Sequence, residues 1–248
     1  MKLNRTDILE KYKRAKNRLI LLDYDGTLVD FTPVPEDAVP SFELLDILRK
    51  IDSTPYTKLI VISGRNQKDI EKFVGELPID IIAEHGAMLK KQGKWQKQNI
   101  DISEWKELVL AVLNETSSFC PGSFVEEKNF SLAWHYRNAE TGYIQSRKLI
   151  KILDSINSSY NFKVLDGNKV VEIKSDENGK GRAAKYFVEQ GDYDFILSIG
   201  DDKTDEEMFE FFLNHPEAIT IKVGEGNTMA KYLLESVDQV IKLLNRLL

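Results

Sequence analysis

The 248-residue sequence has little cysteine: Cys120 stands alone. One thiol forms no internal disulfide and leaves no cysteine-rich metal site, and a reducing compartment suits such a chain. It has no excess of basic charge. Its 34 Lys and Arg face 40 Asp and Glu, a net charge of -6, which disfavours a general nucleic-acid binder. It has no long apolar run. Its apolar runs, such as residues 19–22 and 59–62, are far too short to cross a bilayer. The opening MKLNRTDILEKYKRAKNR holds no apolar stretch fit for a signal peptide, so the expectation is a cytoplasmic protein with no membrane partner. There is no internal repeat and no low-complexity tract. What remains is ordinary globular composition, 42% hydrophobic and 30% charged. That excludes a disordered chain, a coiled-coil rod and a collagen-like fibre. The length suits one large α/β domain, or a core of roughly 150 residues with an insert.

Residues 11–18 read as a solvated helix face or a loose lead-in. Residues 18–23 then form an apolar run without polar alternation, as expected of a strand buried on both faces of a parallel sheet. The run ends in a turn, Asp-Tyr-Asp-Gly-Thr. Residues 31–40 carry three prolines and read as a loop. In residues 41–51, Leu44, Leu48 and Ile51 share one helical face. Residues 58–62 predict a second buried strand, 66–75 a helix and 79–83 a third strand. Strand, helix, strand, helix, strand implies right-handed crossovers and a parallel sheet.

The pattern changes after Glu84-His85-Gly86. Residues 94–95 suggest a short strand and 103–113 a helix. Residues 130–137 alternate: Phe130, Leu132, Trp134 and Tyr136 face one way, Ser131, Ala133, His135 and Arg137 the other. Such alternation predicts a half-buried antiparallel strand. Residues 143–156 read as a helix, and Asp166-Gly167 sits between two extended runs as a hairpin turn. The first style returns with a helix over 182–190 and buried strands over 195–199 and 219–223. Residues 237–248 fit a strand or a helix equally. The fold class is therefore α/β, a doubly wound parallel sheet with an inserted α+β domain. The expected boundaries are 1–86 for the first part of the core, 87–172 for the insert and 173–248 for the second part.

Chemistry-bearing residues follow the core strands. Asp23 and Asp25 follow the first, Ser63 the second, Asp201 and Asp202 a later one, and ligands of open parallel sheets bind at that rim. Asp-Tyr-Asp-Gly-Thr read alone is equally a turn. The four further carboxylates of Gly-Asp-Asp-Lys-Thr-Asp-Glu make the plain reading less comfortable. Clustered acidic groups repel, and a hard cation such as Mg2+ relieves them. Glu206 and Glu207 fit an acidic helix N-terminus. Ser63-Gly64-Arg65 reads either as a helix cap or as an anion site. Lys180 reads either as a surface lysine in a glycine-rich turn or as a neutralising charge.

Taken in order, D-Y-D-G-T-L, S-G-R, a lysine before a helix and G-D-D-x-T-D-E resemble the haloacid dehalogenase-like phosphohydrolases. Within the insert, Glu126-x-Lys128, His135-Tyr136-Arg137 and Glu172, with E-H-G-A before them and G-D-D-x-T-D-E-x-M-F after, resemble the trehalose-6-phosphate phosphatases. The likeness runs from about residue 18 to 241. It departs at the third motif, where a glycine separates Asn178 from Lys180, leaving the alignment of Asn178 open.

The resemblance implies a doubly wound core with an inserted cap, and magnesium-dependent hydrolysis of trehalose 6-phosphate. Asp23 would be the nucleophile, forming an aspartyl phosphate, with Asp25 as acid and base. Asp23, Asp25 through its carbonyl, and Asp201 would hold Mg2+, with Asp202 nearby. Ser63, Gly64 and Lys180 would bind the phosphoryl group, with Thr27 ordering the loop and Asp205 orienting Lys180 or a metal-bound water. Arg65, Glu126, Lys128, His135, Arg137 and Glu172 would recognise the sugar. Read without the resemblance, the residues of the insert are equally an exposed strand face with surface salt bridges. A trehalose-6-phosphate synthase of the same pathway is the candidate protein partner. The competing readings are a sucrose-phosphate or mannosyl-3-phosphoglycerate phosphatase, a sugar-phosphate-binding regulator without turnover, and a receiver-like domain.

Overall fold

A computed structural model of the chain describes residues 5–32, 34–98 and 101–248. Pro33, one of the prolines of the 31–40 loop, and the first four residues of the opening segment lie outside the described residues. The chain forms two compact units, residues 1–98 with 179–248, and residues 99–178.

The first unit opens with α1 (Arg5–Arg14), β1 (Arg18–Asp23), α2 (Phe42–Asp52), β2 (Thr57–Ile62), α3 (Gln67–Val74), β3 (Asp80–Ala83), β4 (Met88–Lys91) and β5 (Lys94–Lys97). The chain then builds the second unit from α4 (Ser103–Ser118), β6 (Phe124–Glu127), β7 (Ser131–His135), α5 (Gly142–Asn157), β8 (Phe162–Asp166) and β9 (Val170–Ser175). It returns with α6 (Lys180–Val188), β10 (Phe195–Gly200), α7 (Lys203–Phe211), β11 (Ala218–Val223), β12 (Tyr232–Leu234) and α8 (Val237–Asn245).

The first unit's sheet has the order β12-β11-β10-β1-β2-β3-β4-β5. Strands β12 through β3 are parallel, and β4 and β5 close the edge antiparallel. Side chains alternate across a strand, so a fully apolar strand feeds two cores. In β1, Ile20 and Leu22 join the layer of α2, α3 and α8, while Leu19 and Leu21 join that of α6 and α7. Local caps set the helix starts. Ser41 Oγ accepts from Leu44 N at 3.1 Å, and Asn66 Oδ1 accepts from Asp69 N at 2.9 Å. Because β10, β1 and β2 are adjacent and parallel, the residues after them meet at one rim.

The second unit is a four-stranded antiparallel sheet, β6-β7-β9-β8. One face carries Leu132, Trp134, Val171 and Ile173 against Trp105, Val109 and Leu113 of α4 and Leu149 and Leu153 of α5.

The structure differs from the sequence reading in places. Residues 88–97 form a hairpin on β3, pairing Met88 with Ala83, so this segment packs with the first unit. The chain leaves that unit after Gln98 and returns at Gly179, because β9 runs on to Ser175. The lead-in is helical to Arg14, with Ile8 and Tyr12 buried against the core. The closing segment is a helix: Val237, Val240, Leu243 and Leu244 bury at helical spacing. Strand β7 is not half-buried, since Ser131 and Ala133 are buried along with Leu132 and Trp134. Among the described residues, no helix is long and apolar enough to cross a membrane.

Candidate active site

The rim of the parallel sheet gathers a buried ionic cluster. Lys180, the first residue of α6, donates to Asp23 Oδ1 at 2.6 Å and to Asp205 Oδ1 at 2.8 Å. All three side chains are buried. Asp205 Oδ2 accepts from the backbone amides of Asp201 and Asp202 at 3.0 and 3.1 Å. Asp205 therefore ties the loop after β10 to the lysine. Asp202 caps α7: its Oδ1 accepts from Thr204 N at 2.8 Å and Thr204 Oγ1 at 2.7 Å. Lys222, buried at the end of β11, donates to the Asp201 carbonyl at 2.5 Å.

Asp25 sits just past β1, and Arg65 holds both its oxygens, Nε at 2.8 Å and the second guanidinium nitrogen at 2.7 Å. The guanidinium also lies 5.0 Å from the Phe73 ring centre and 5.6 Å from that of Tyr24. The turn between them closes through Gly26 N donating to Val29 O at 2.8 Å. Gly26 has φ +79°, and a Cβ there would collide with Asp201 Oδ2. Thr27 is buried in this turn, with no partner for its Oγ1 among the described residues. Ser63 is buried, and its Oγ accepts from Arg65 N at 3.0 Å. The Glu84-His85 turn is sewn onto the same loop, Glu84 N donating to Arg65 O at 2.8 Å and His85 N to Ser63 O at 3.0 Å. Both residues have positive φ, and the His85 ring fills the space a Gly64 Cβ would need.

Burial and crowding govern the charges. Burial pushes the Asp23 carboxyl well above its ordinary range, opposed by Lys180 and helped by Asp201 and Asp202. Asp201 is pushed up to about 7 by burial and by the charges of Asp205 and Asp202. Asp205 rises through burial and the Asp23 charge. Burial alone would lower Lys180, but Asp205 and Asp23 outweigh it and hold the ammonium well above its ordinary value. For Asp202, burial pushes up, yet the Lys180 charge and the Thr204 hydrogen bond prevail and hold it low.

Would a cation fit? Oxygens of Asp23, Asp201 and Asp205 lie within 4.8 Å of one another. Asp23 Oδ2 is buried without a hydrogen-bond partner among the described residues. Three crowded carboxyls with raised affinity for protons, and one oxygen left unsatisfied, suit a hard divalent ion. Both Asp205 oxygens are already engaged, so Asp23 and Asp201 are the pair left to ligate.

In the second unit, Glu126, His135 and Glu172 of the sequence-predicted sugar residues share the sheet face away from the apolar core. Glu126, Ala133 and Glu172 are aligned across β6, β7 and β9. His135 Nε2 lies 2.9 Å from Glu126 Oε2. That hydrogen bond holds the Glu126 carboxyl below its ordinary range, against burial. Lys128 Nζ and Ser131 Oγ both donate to Glu172 Oε1, at 3.3 and 3.2 Å. Arg137 lies beyond the end of β7 and donates to the Asn168 carbonyl at 3.1 Å.

The rim thus brings together Asp23, Asp201, Asp205 and Lys180, and beside them Asp25 with Arg65. The sequence reading missed the roles of Lys222 and His85. A lysine inside the buried strand β11 was the available signal for the first; the second lay in the E-H-G-A motif, which gave it no role of its own.

A sequence profile of the trehalose-phosphatase family matches residues 21–238. The chain is 39% identical over 252 residues to the alpha,alpha-trehalose-phosphate synthase [UDP-forming] B of Dictyostelium discoideum, a match covering 98% of this chain and 32% of that protein. It is 38% identical over 240 residues to the bifunctional trehalose-6-phosphate synthase/phosphatase of Thermoproteus tenax, covering 95% of this chain and 32% of that one. It spans about a third of the length of these relatives. Among solved structures, the C-terminal domain of C. albicans trehalose-6-phosphate phosphatase matches with a TM-score of 0.93 at 32% identity, covering 99% of this chain and 97% of that one. With the matched profile spanning most of the chain, this protein belongs to the trehalose-phosphatase family.

Proposed function

We propose that the protein is a magnesium-dependent phosphate monoester hydrolase acting on trehalose 6-phosphate. The observation that carries this reading is Asp23: one oxygen is pinned by Lys180 at 2.6 Å while the other is buried with no hydrogen-bond partner among the described residues. Such a carboxylate presents a single aimed nucleophilic oxygen. Asp23 Oδ2 attacks phosphorus, the bond from phosphorus to the sugar oxygen breaks, and Asp25 gives that oxygen its proton. An aspartyl phosphate is left on Asp23. Water then attacks this phosphorus, Asp25 takes the water's proton, and the bond to Asp23 breaks, releasing phosphate. To act so, Asp25 must leave the two-point grip of Arg65.

Lys180, Ser63 and Thr27 bind the phosphoryl oxygens, with Gly64 permitting close approach. Asp23, through the oxygen that does not attack phosphorus, Asp201 and the Asp25 carbonyl would hold Mg2+, with Asp202 beside them as the cap of α7. When bound, the ion supplies neutralisation of the charge between carboxylate and phosphate. Asp205 orients Lys180. Residues 99–178 act as the selecting insert, with Glu126, Lys128, His135, Arg137 and Glu172 recognising the disaccharide; Arg65 is a further sugar-recognising residue. The free, buried Cys120 suits a cytoplasmic setting, and a trehalose-6-phosphate synthase supplies the substrate.

The test is phosphate release from trehalose 6-phosphate, sucrose 6-phosphate, glucose 6-phosphate and a small aryl phosphate, with and without Mg2+, against Asp23→Asn. Magnesium-dependent turnover that strongly prefers trehalose 6-phosphate and vanishes in the variant is expected. Turnover spread evenly over the panel would retain the hydrolase and discard the disaccharide; no turnover on any would leave a sugar-phosphate-binding protein.

A further inference from the structure

Strand β6 begins with a residue that breaks its own pattern. Across β6, β7 and β9 the apolar side chains, Val125, Leu132, Trp134, Val171 and Ile173, pack on α4 and α5. The opposite face carries Glu126, His135 and Glu172. Phe124 belongs to that polar face: it pairs with His135 in the β6–β7 register, and its ring stacks on the imidazole, centres 4.7 Å apart and planes 14° from parallel. It is 56% exposed. Exposure alone does not set Phe124 apart, since Phe42 and Phe119 are more exposed; what does is its place on the face that carries Glu126, His135 and Glu172, stacked on one of those polar side chains, and violations of local patterning concentrate where a protein binds something.

The ring is also held ready. His135 is fixed by its contact with Glu126 at 2.9 Å, and the fixed imidazole supports one face of Phe124, a residue that remains more than half exposed. A flat apolar surface stands beside a carboxylate, with a second carboxylate, Glu172, aligned beyond Ala133. A pyranose has the matching shape, an apolar C–H face and a rim of hydroxyls. We propose that Phe124 is a specificity-determining residue of the insert, a stacking platform for one pyranose ring of the sugar, with Glu126 accepting from that ring's hydroxyls. This rests on the sugar-phosphatase reading above and adds to it a ring that neither motif nor spacing assigns.

The experiment compares Phe124→Trp, Phe124→Leu and Phe124→Ala in the full chain, each checked for an unchanged melting temperature. Leucine keeps apolar bulk but has no flat face; tryptophan keeps the face. Two readouts are taken: calorimetric affinity for trehalose itself, which carries no phosphate, and kcat/KM for trehalose 6-phosphate relative to acetyl phosphate. Stacking of this kind sets an expected loss of about tenfold in trehalose affinity for the leucine and alanine variants. The same loss appears in KM for trehalose 6-phosphate, exceeds any loss on acetyl phosphate, and is restored to within about threefold by tryptophan. Wild-type affinity in the leucine variant, or equal losses on both substrates, overturns the platform and makes Phe124 a packing residue. If the wild type turns over trehalose 6-phosphate normally and no variant differs from it, only this inference fails. A wild type that neither binds trehalose nor hydrolyses its phosphate overturns the substrate reading and the platform together.

Discussion

Asp205→Asn isolates the interaction on which the rim depends. The asparagine oxygen can still accept from the Asp201 and Asp202 amides, now held at 3.0 and 3.1 Å. Its amide nitrogen then replaces the oxygen that Lys180 meets at 2.8 Å, setting donor against donor. Lys180 keeps Asp23 as its counter-charge in a site closed to water. Stripping one partner from a buried ion pair costs about 3–5 kcal/mol. Some of this is offset, because Asp205 also repels Asp23, so the lower end, about 3 kcal/mol, is the expected value. For a unit of this size that is a fall in melting temperature of about 6–12 °C. Turnover should drop about a hundredfold, as when one fixed donor of a charge-stabilising site is lost. The assay is thermal unfolding followed by circular dichroism, with phosphate release in parallel. Adding Lys180→Met to the variant removes the stranded cation, so the double variant should be more stable than the two single losses predict. A fall under about 2 °C, or strict additivity, would refute the idea that Asp205 acts through Lys180.

Further expectations concern the same rim. The Asp201 carboxyl, raised to about 7 in the folded protein against about 4 unfolded, keeps its proton longer when folded. Metal-free protein should therefore lose stability as pH rises from about 4 to about 7, and Mg2+ should restore more of it at pH 8 than at pH 5; melting curves at the two values with and without the ion decide this. Gly26→Ala forces a Cβ onto Asp201 Oδ2 at a backbone φ of +79°. It should abolish turnover and weaken Mg2+ binding, whereas near-normal activity would show that the turn relaxes freely. Arg65→Lys cannot reproduce a two-point grip on Asp25; because that grip has to open for Asp25 to act, kcat for trehalose 6-phosphate should not fall, and a loss of about tenfold or more would show that the grip positions the acid instead of restraining it. Lys222→Met frees the Asp201 carbonyl and should weaken calorimetric Mg2+ affinity, with Lys222→Arg recovering part of it.

Much of the fold was legible because the central strands obey one rule. Residues 19–22 and 59–62 are apolar at every position because both faces of the sheet are covered. The edge hairpin follows no such rule. In β4, Leu89 is the core contact, while Lys90 and Lys91 suggest a solvated strand. Lys90 is in fact buried, its amine donating to Glu71 Oε1 at 2.8 Å and to the Gly75 carbonyl at 2.7 Å. Those acceptors belong to α3 and the turn after it, so the pairing of the hairpin with β3 depends on contacts that no window of sequence contains. The last helix was ambiguous for the opposite reason: its apolar residues are dense enough to satisfy both periodicities.

The site divides along the same line. Groups placed by strand ends, Asp23, Asp25 and Ser63, follow from position alone. Within Gly-Asp-Asp-Lys-Thr-Asp-Glu, position is not enough, since Asp202 and Asp205 are three apart and compete for one description. Aspartate at the cap and at the third helical position is a capping-box pattern, and it distinguishes them: Asp202 turns to Thr204 while Asp205 reaches back to the loop amides and Lys180. What stayed hidden depends on distant partners, yet each case broke a local rule. Lys222 interrupts a buried strand, His85 adopts a φ of +56° without being glycine, and Phe124 sits in water on a polar face. None of these choices helps its own element. Lys222 steadies the loop carrying Asp201, His85 packs against Gly64 of the Ser63 loop, and Phe124 stacks on His135 while staying more than half exposed. Exceptions to patterning were thus the sequence's remaining information about function, carried by Lys222 and Phe124, which no motif includes, and by His85, whose motif gave it no role.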